Sequence, residues 1–249
     1  MYGIMRPRIW VFSLCRNEAN VIPFYLRHYG SFADRIIVWD DASDDGSLEL
    51  LRSHPSVLAL RWPYETGIDE DAFLRFVYDN YPVAKGMADW CIWCDIDEFI
   101  YSPDIFNTLE AASNYEVIQT RGYNMTGDGF PVDDGKSQIW EISQMGVNAP
   151  VYSKPIVFRP SATVRWNRGK HALENCDPAL SKEPMFKLLH YRYMGAKYTA
   201  WKNAKNYARC GLLSGDKGAA WSCSPHHTGE HSPGWAEEAK KVAFNVIES

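Results

Sequence analysis

The sequence has no apolar run of the roughly 18 residues that a membrane-spanning helix needs. Its N-terminus, Met1 to Arg8, is basic but leads into a strand-like segment, not into the apolar stretch and cleavage site of a secretory signal. Cysteine is sparse: six in 249 residues do not make a disulfide framework. These features predict a reduced, cytoplasmic protein, in which the sequon Asn124-Met125-Thr126 is a chance match. No internal repeat and no clean linker is present, so a single domain over residues 1–249 is expected. Charge of one sign is also lacking. The net charge is −5, with 23% charged and 46% apolar residues, which excludes disordered and low-complexity classes. An acidic balance without a recognised motif argues against nucleic acid as a partner. No amphipathic basic helix demands a membrane surface, although peripheral contact with one stays open.

Aromatic residues are plentiful, at 14% with 10 Trp and 14 Tyr. They suit a large core and, in part, a sugar-lining role. The small net charge conceals two unlike halves. Residues 1–125 carry ten Lys/Arg and nineteen Asp/Glu, or −9, and residues 126–249 carry sixteen and twelve, or +4. An acidic and a basic segment in one domain can meet a cation and an anion side by side.

Apolar runs Arg8–Leu14, Arg35–Asp40, Val57–Trp62 and Trp90–Cys94 read as strands. Helices are predicted over Asn20–Tyr29, from a Ser47 cap through Arg52, and over Asp69–Tyr81. Nearly continuous apolar strands alternating with helices indicate an α/β fold with a mostly parallel central sheet. Ligands bind such sheets beyond the carboxyl ends of the strands. Three polar clusters fall at that edge: Asn17/Glu18, Asp40 to Asp45, and Asp95 to Glu98. The second half reads as more irregular. Glu116–Arg121 and Lys154–Arg159 look like strands, Gly122–Gly135 like a loop, Ala196–Cys210 like a helix, Gly215–Gly234 like a loop and Trp235–Glu248 like a terminal helix.

Asp95 and Asp97 are two apart at a strand end, which points both carboxylates the same way. Without thiolate or imidazole beside them they suit a hard cation such as Mg²⁺ or Mn²⁺. Cys91 and Cys94 are three apart, hence on opposite faces of a strand, and read as small buried residues. Cys223, His226, His227 and His231 match no structural zinc spacing and read as a polar loop.

Taken together, Cys15-Arg16-Asn17-Glu18-Ala19, Ile37-Val38-Trp39-Asp40-Asp41-Ala42-Ser43-Asp44-Asp45-Gly46-Ser47, and Asp89-Trp90 leading to Asp95-Ile96-Asp97-Glu98-Phe99 resemble a family 2-type glycosyltransferase with the GT-A fold. The bacterial subgroup with an Asp-x-Asp-Glu-Phe metal motif is the nearest in pattern. The likeness covers about residues 8–100, the nucleotide- and metal-binding half. Lys154-Pro155, Gly169-Lys170-His171 and His190-Tyr191 with Lys202 are similar to the subgroup's later blocks, in the acceptor half from about 101 to 249.

The resemblance implies a Rossmann-like nucleotide-diphospho-sugar transferase. Its donor is a nucleotide-diphosphate sugar, its acceptor a saccharide or lipid-linked saccharide, its cofactor Mn²⁺ or Mg²⁺, and its setting bacterial polysaccharide or glycoconjugate synthesis. Glu18 would lie near the nucleotide and Asp41 at the base or ribose. Asp95 and Asp97 would hold the metal, with His171 or His190 completing its shell. Lys154 and Lys202 would meet phosphate. An inverting transfer also needs a carboxylate base. Asp128, between Gly127 and Gly129, is the choice, with Glu98 and Glu174 as rivals. The alternatives are a nucleotidyltransferase, which usually carries a Gly-rich phosphate loop after the first strand, and an inactive sugar- or protein-binding module on the same fold. The first position after the strand here reads Cys15-Arg16-Asn17-Glu18, without glycine.

Overall fold

The computed structural model describes residues 6–63, 70–210 and 232–249. Strands β1 (Ile9–Cys15), β2 (Arg35–Asp40), β3 (Val57–Arg61) and β4 (Trp90–Trp93) run parallel in the order β3-β2-β1-β4. Helices α1 (Ile22–Tyr29), α2 (Ser47–Arg52) and α3 (Glu70–Asn80) connect them. Strands β1, β2 and β4 are buried on both faces, as their unbroken apolar sequences require, whereas β3 at the sheet edge leaves Leu58 and Leu60 exposed. Ile9, Val11, Ile36, Val38 and Ile92 face α1 through Ile22, Tyr25 and Tyr29. Their alternates Trp10, Phe12, Ile37, Trp39 and Trp93 face α3 through Phe73, Leu74 and Val77. Phe12 stacks on Trp93 at 5.2 Å and on Trp39 at 6.2 Å, so these rings belong to the core and not to a sugar site. Cys91 and Cys94 are free, buried and on opposite faces, as their spacing predicts.

Beyond β4 the chain is more regular than its sequence indicates. Strand β5 (Glu98–Tyr101) begins a second sheet, and α4 (Ile105–Ala111) and β6 (Val117–Ile118) follow. Strands β7 (Thr120–Thr126), β8 (Met145–Asn148), β9 (Val157–Phe158) and β10 (Phe186–Tyr193) come next, with the short helix α5 (Ile139–Ile142) between β7 and β8. The chain closes with α6 (Ala196–Cys210), α7 (Pro233–Val242) and β11 (Phe244–Asn245). Among the described residues, β9 and β6 extend the first sheet in antiparallel fashion, and the second sheet is ordered β11-β8-β7-β10-β5.

Three expectations are corrected. Gly122 to Thr126 is strand, not loop: a Cβ on Gly122 would lie 2.3 Å from the backbone carbon of Tyr152, so glycine here permits a close backbone approach. The terminal helix ends at Val242, and Phe244–Asn245 pairs with β8. Ser47 does not cap α2. It is the first helical residue, and Gly46 at φ 91° is the cap. The Asp45 carboxylate accepts the Ser47 N–H at 3.0 Å instead. No helix among the described residues is long and apolar enough to cross a membrane.

Candidate active site

Because β1, β2 and β4 are parallel, their following loops meet at one edge. The first two loops lock together. Asn17, at φ 53°, donates from Nδ2 to Asp44 Oδ1 at 2.8 Å and accepts the Asp44 N–H at 2.9 Å. Ser43 Oγ accepts from Asn17 N at 2.9 Å, Ser47 Oγ from Glu18 N at 2.8 Å, and Asp45 from Ala19 N at 3.0 Å. The polar density of 40–47 thus fixes the backbone around Glu18. The third loop, Cys94 to Asp97, carries the chain from the first sheet into the second. It is therefore held from both sides. Register places Glu98, His190 and Asn124 in one row across β5, β10 and β7.

Four carboxylates and four lysines fill this junction. Lys202, on α6 and about 1% exposed, donates to Glu18 Oε1 at 2.7 Å, to Glu18 Oε2 at 2.8 Å and to Asp97 Oδ2 at 2.8 Å. Lys205, one turn on, reaches Glu18 Oε1 at 3.0 Å and the Asn17 carbonyl at 2.5 Å. Lys154 is buried against Glu98 in a short ion pair and stands 3.7 Å from Asp95 Oδ2. Lys170 donates to Asp95 Oδ1 at 2.9 Å. Glu18, Asp95, Asp97 and Glu98 against Lys154, Lys170, Lys202 and Lys205 sum to zero, so the cluster is balanced by its own side chains.

The charge states follow from this geometry. Burial pushes the Asp97 carboxyl up, but Lys202 outweighs it and holds the group well below the ordinary carboxylate range. Burial likewise opposes ionisation of Asp95, and Lys170 with Lys154 overcomes it. Burial disfavours the Lys154 and Lys202 ammoniums, yet Glu98 and Asp97 respectively raise both above the usual lysine value. His190 is the exception. Burial lowers it to about 3, so its ring is neutral. Its Nδ1 lies 3.0 Å from Asn124 Oδ1, its Nε2 lies 3.8 Å from Asp97 Oδ1, and Tyr152 covers the ring at 4.3 Å.

Lys170 differs from the other lysines in its backbone. Gly169 at φ 77° and Lys170 at φ 61° are consecutive left-handed residues. For a lysine this conformation costs about 1–2 kcal/mol and persists only where the surroundings impose it. A Cβ on Gly169 would lie 2.4 Å from His171 Nε2, so the turn admits only glycine there. The side chain is 3% exposed and crosses the Phe73 ring at 5.0 Å to reach Asp95.

The structure brings Glu18, Asp95, Asp97, Lys154 and His190 together. Asp41 lies in the adjoining loop with Arg16 at 3.2 Å. His171 flanks the cluster, with Nδ1 2.5 Å from the Val151 carbonyl, and burial followed by Lys154 lowers it. Asp128 stands apart. Its side chain is 97% exposed and paired with Lys240 of α7 at 2.6 Å, and this hydrogen bond lowers its pKa. Of its rivals, Glu98 is fully buried beneath Lys154 and Glu174 is exposed. Cys223, His226, His227 and His231 lie outside the described residues. Sequence reasoning missed Lys205, Asn124 and Tyr152. Lys202 and Lys205 share a helix face at i, i+3, the one signal that pairs them.

The divalent cation implied by the resemblance does not fit this donor set. Asp95 and Asp97 each already hold an ammonium on one oxygen, and the cluster is neutral without a further charge. Among the described residues no three His, Cys, Asp or Glu side chains gather as a ligand set.

No protein-family model and no curated protein sequence matches the chain. Among solved structures, S. aureus TarS is similar with a TM-score of 0.42 and 11% identity over 87% of this chain. The chain spans 42% of that protein's length. TarS 1–349 in complex with UDP-GlcNAc gives 0.42 at 11% identity, covering 87% of this chain and 70% of that one. Mannosyl-3-phosphoglycerate synthase from Rubrobacter xylanophilus gives 0.39 at 12% identity, covering 62% and 54%.

Proposed function

We propose that the chain is an inverting glycosyltransferase that moves a sugar from a nucleotide-diphosphate donor to a hydroxyl of a saccharide or lipid-linked saccharide. One observation carries the reading: Lys202 joins Glu18, which follows β1, to Asp97, which follows β4. That bridge puts the first and third motif blocks and the basic helix α6 at the carboxyl edge of the parallel strands, where α/β sheets bind nucleotides. The middle block, with Asp41, adjoins it.

In the reaction, an acceptor oxygen bonds to the anomeric carbon of the donor sugar. The bond from that carbon to the distal phosphate oxygen breaks, and its electron pair stays on the departing diphosphate. The acceptor proton goes to a base. The lysines of the cluster favour the charge gathering on the leaving group. Asp128 is the base in this reading, on the loop after β7. Its exposure leaves room for a bulky acceptor, and its pairing with Lys240 keeps it ionised. The setting that fits is polysaccharide or glycoconjugate synthesis.

The test is release of nucleoside diphosphate from UDP-GlcNAc, UDP-glucose, GDP-mannose and dTDP-glucose, with and without a panel of saccharide acceptors. Turnover of one donor that falls about 100-fold or more in Asp128→Asn supports the reading, a loss of the size typical for a general base. Equal turnover in the variant contradicts it. Donor binding without release points instead to a binding module.

A further inference from the structure

We propose that Lys170, tethered by Asp95, occupies the place of a divalent cation and binds the diphosphate of the donor directly, so that nucleotide binding needs no metal. The inference rests on the nucleotide-sugar reading above and specifies how that site handles phosphate.

Three observations carry it. First, the cluster has an inside and a mouth. Lys202 spends its contacts on Glu18 and Asp97, and Lys154 is closed beneath Glu98. Among the described residues the Lys170 ammonium makes one hydrogen bond, to Asp95, whose side chain is 44% exposed. An ammonium has three donors, so Lys170 can keep Asp95 and still meet two phosphate oxygens. Second, the chain holds Lys170 in place at a conformational cost, through paired left-handed residues at 169 and 170. Backbone outliers of this kind collect at ligand clamps. Third, the carboxylates are already neutralised. A Mg²⁺ or Mn²⁺ ion held by Asp95 and Asp97 would have to share them with the ammonium groups of Lys170 and Lys202, or displace those groups. Lysine serves as a point charge for phosphate in this way.

Asp95 then acts as a positioning residue that aims the ammonium, and Lys170 touches the substrate. As the sugar leaves, the charge that grows on the diphosphate is met by Lys170, with Lys154 behind it.

The experiment is calorimetric titration of the whole chain with UDP, GDP, dTDP and CDP, in EDTA and in Mn²⁺. The expected result is that at least one of them binds in EDTA and that Mn²⁺ changes its affinity by less than about fivefold. Lys170→Gln should weaken it about tenfold or more, as loss of a charge-assisted hydrogen bond does. Binding that needs Mn²⁺, or gains fivefold or more from it, overturns the proposal while leaving the nucleotide reading intact. So does a folded Lys170→Gln chain that loses less than tenfold. If none of the four binds in either buffer, the nucleotide reading falls and this inference with it. The Mn²⁺ comparison uses the unaltered chain and decides the matter even if Lys170→Gln does not fold.

Discussion

The two aspartates of the third motif sit two residues apart and live in different surroundings. Asp97 faces inward. Its side chain is 10% exposed, Lys202 ties it to Glu18, and neutral His190 closes the other side. Asp95 faces the mouth. Its side chain is 44% exposed, and its partner Lys170 stands on strained backbone. A buried ion pair is costly to break because removing one partner strands the other away from water. A pair at a mouth can trade contacts with a ligand at little cost. The inner group therefore fixes where two sheets and α6 meet, and the outer group is left to work on a substrate.

That division is most strongly broken at Lys202. Lys202→Met should cost about 3–5 kcal/mol, since it leaves Glu18 and Asp97 facing each other without their shared cation. A denaturant melt with a midpoint close to that of the unaltered chain would show that the inner knot does not hold the fold.

The next effect is one of pH. His190 is lowered to about 3 by burial, and so is His28, which is buried between Phe99 and Trp140. Between that value and the unfolded value of about 6.5 the unfolded chain binds more protons. Stability is then fully present above about pH 6.5 and is lost as pH falls toward 3, by up to about 1.4 kcal/mol per pH unit for each ring. His190→Gln should flatten the slope of melting temperature between pH 6.5 and 4, and an unchanged slope would mean that the ring is already charged. The depressed carboxyls of Asp95 and Asp97 act lower, with stability present above about pH 3.9 and lost below it.

Smaller still is the effect of Gly169→Ala. A left-handed alanine beside His171 should cost about 1–2 kcal/mol and disturb the aim of Lys170, so nucleotide affinity should fall more than the melting temperature does. Least of all is Asp95→Asn. Asn still offers Lys170 an acceptor oxygen, so the change should cost about 1 kcal/mol, the net worth of one hydrogen bond, while nucleotide affinity drops. Equal stability losses in Asp95→Asn and Asp97→Asn would erase the distinction between mouth and interior.

How much of this is legible in the sequence follows from the range of the forces involved. Strands β1 to β4 are apolar on both faces, and their polar ends announce Glu18, Asp41, Asp95 and Asp97. The second sheet is harder to read. Gly122 sits inside β7 because Tyr152 crosses there, and nothing local says so. Strand β5 starts at Glu98, a charged residue that becomes acceptable in a sheet only when Lys154 comes from 56 residues away. The lysines are legible as a basic stretch, but the role of each is set by a distant partner: Lys202 and Glu18 are 184 residues apart. Asp128 shows the converse: its glycine-flanked position is plain in the sequence, but its place on the rim beside Lys240 of α7 is not.

The most direct measurement is a crystal structure of the chain with the nucleoside diphosphate that binds it, grown in the presence of Mn²⁺. The account predicts Lys170 Nζ within about 3 Å of a phosphate oxygen, with Asp95 still holding the ammonium from the other side. A Mn²⁺ ion seated between the diphosphate and Asp97, with Lys170 turned away from both, would contradict it.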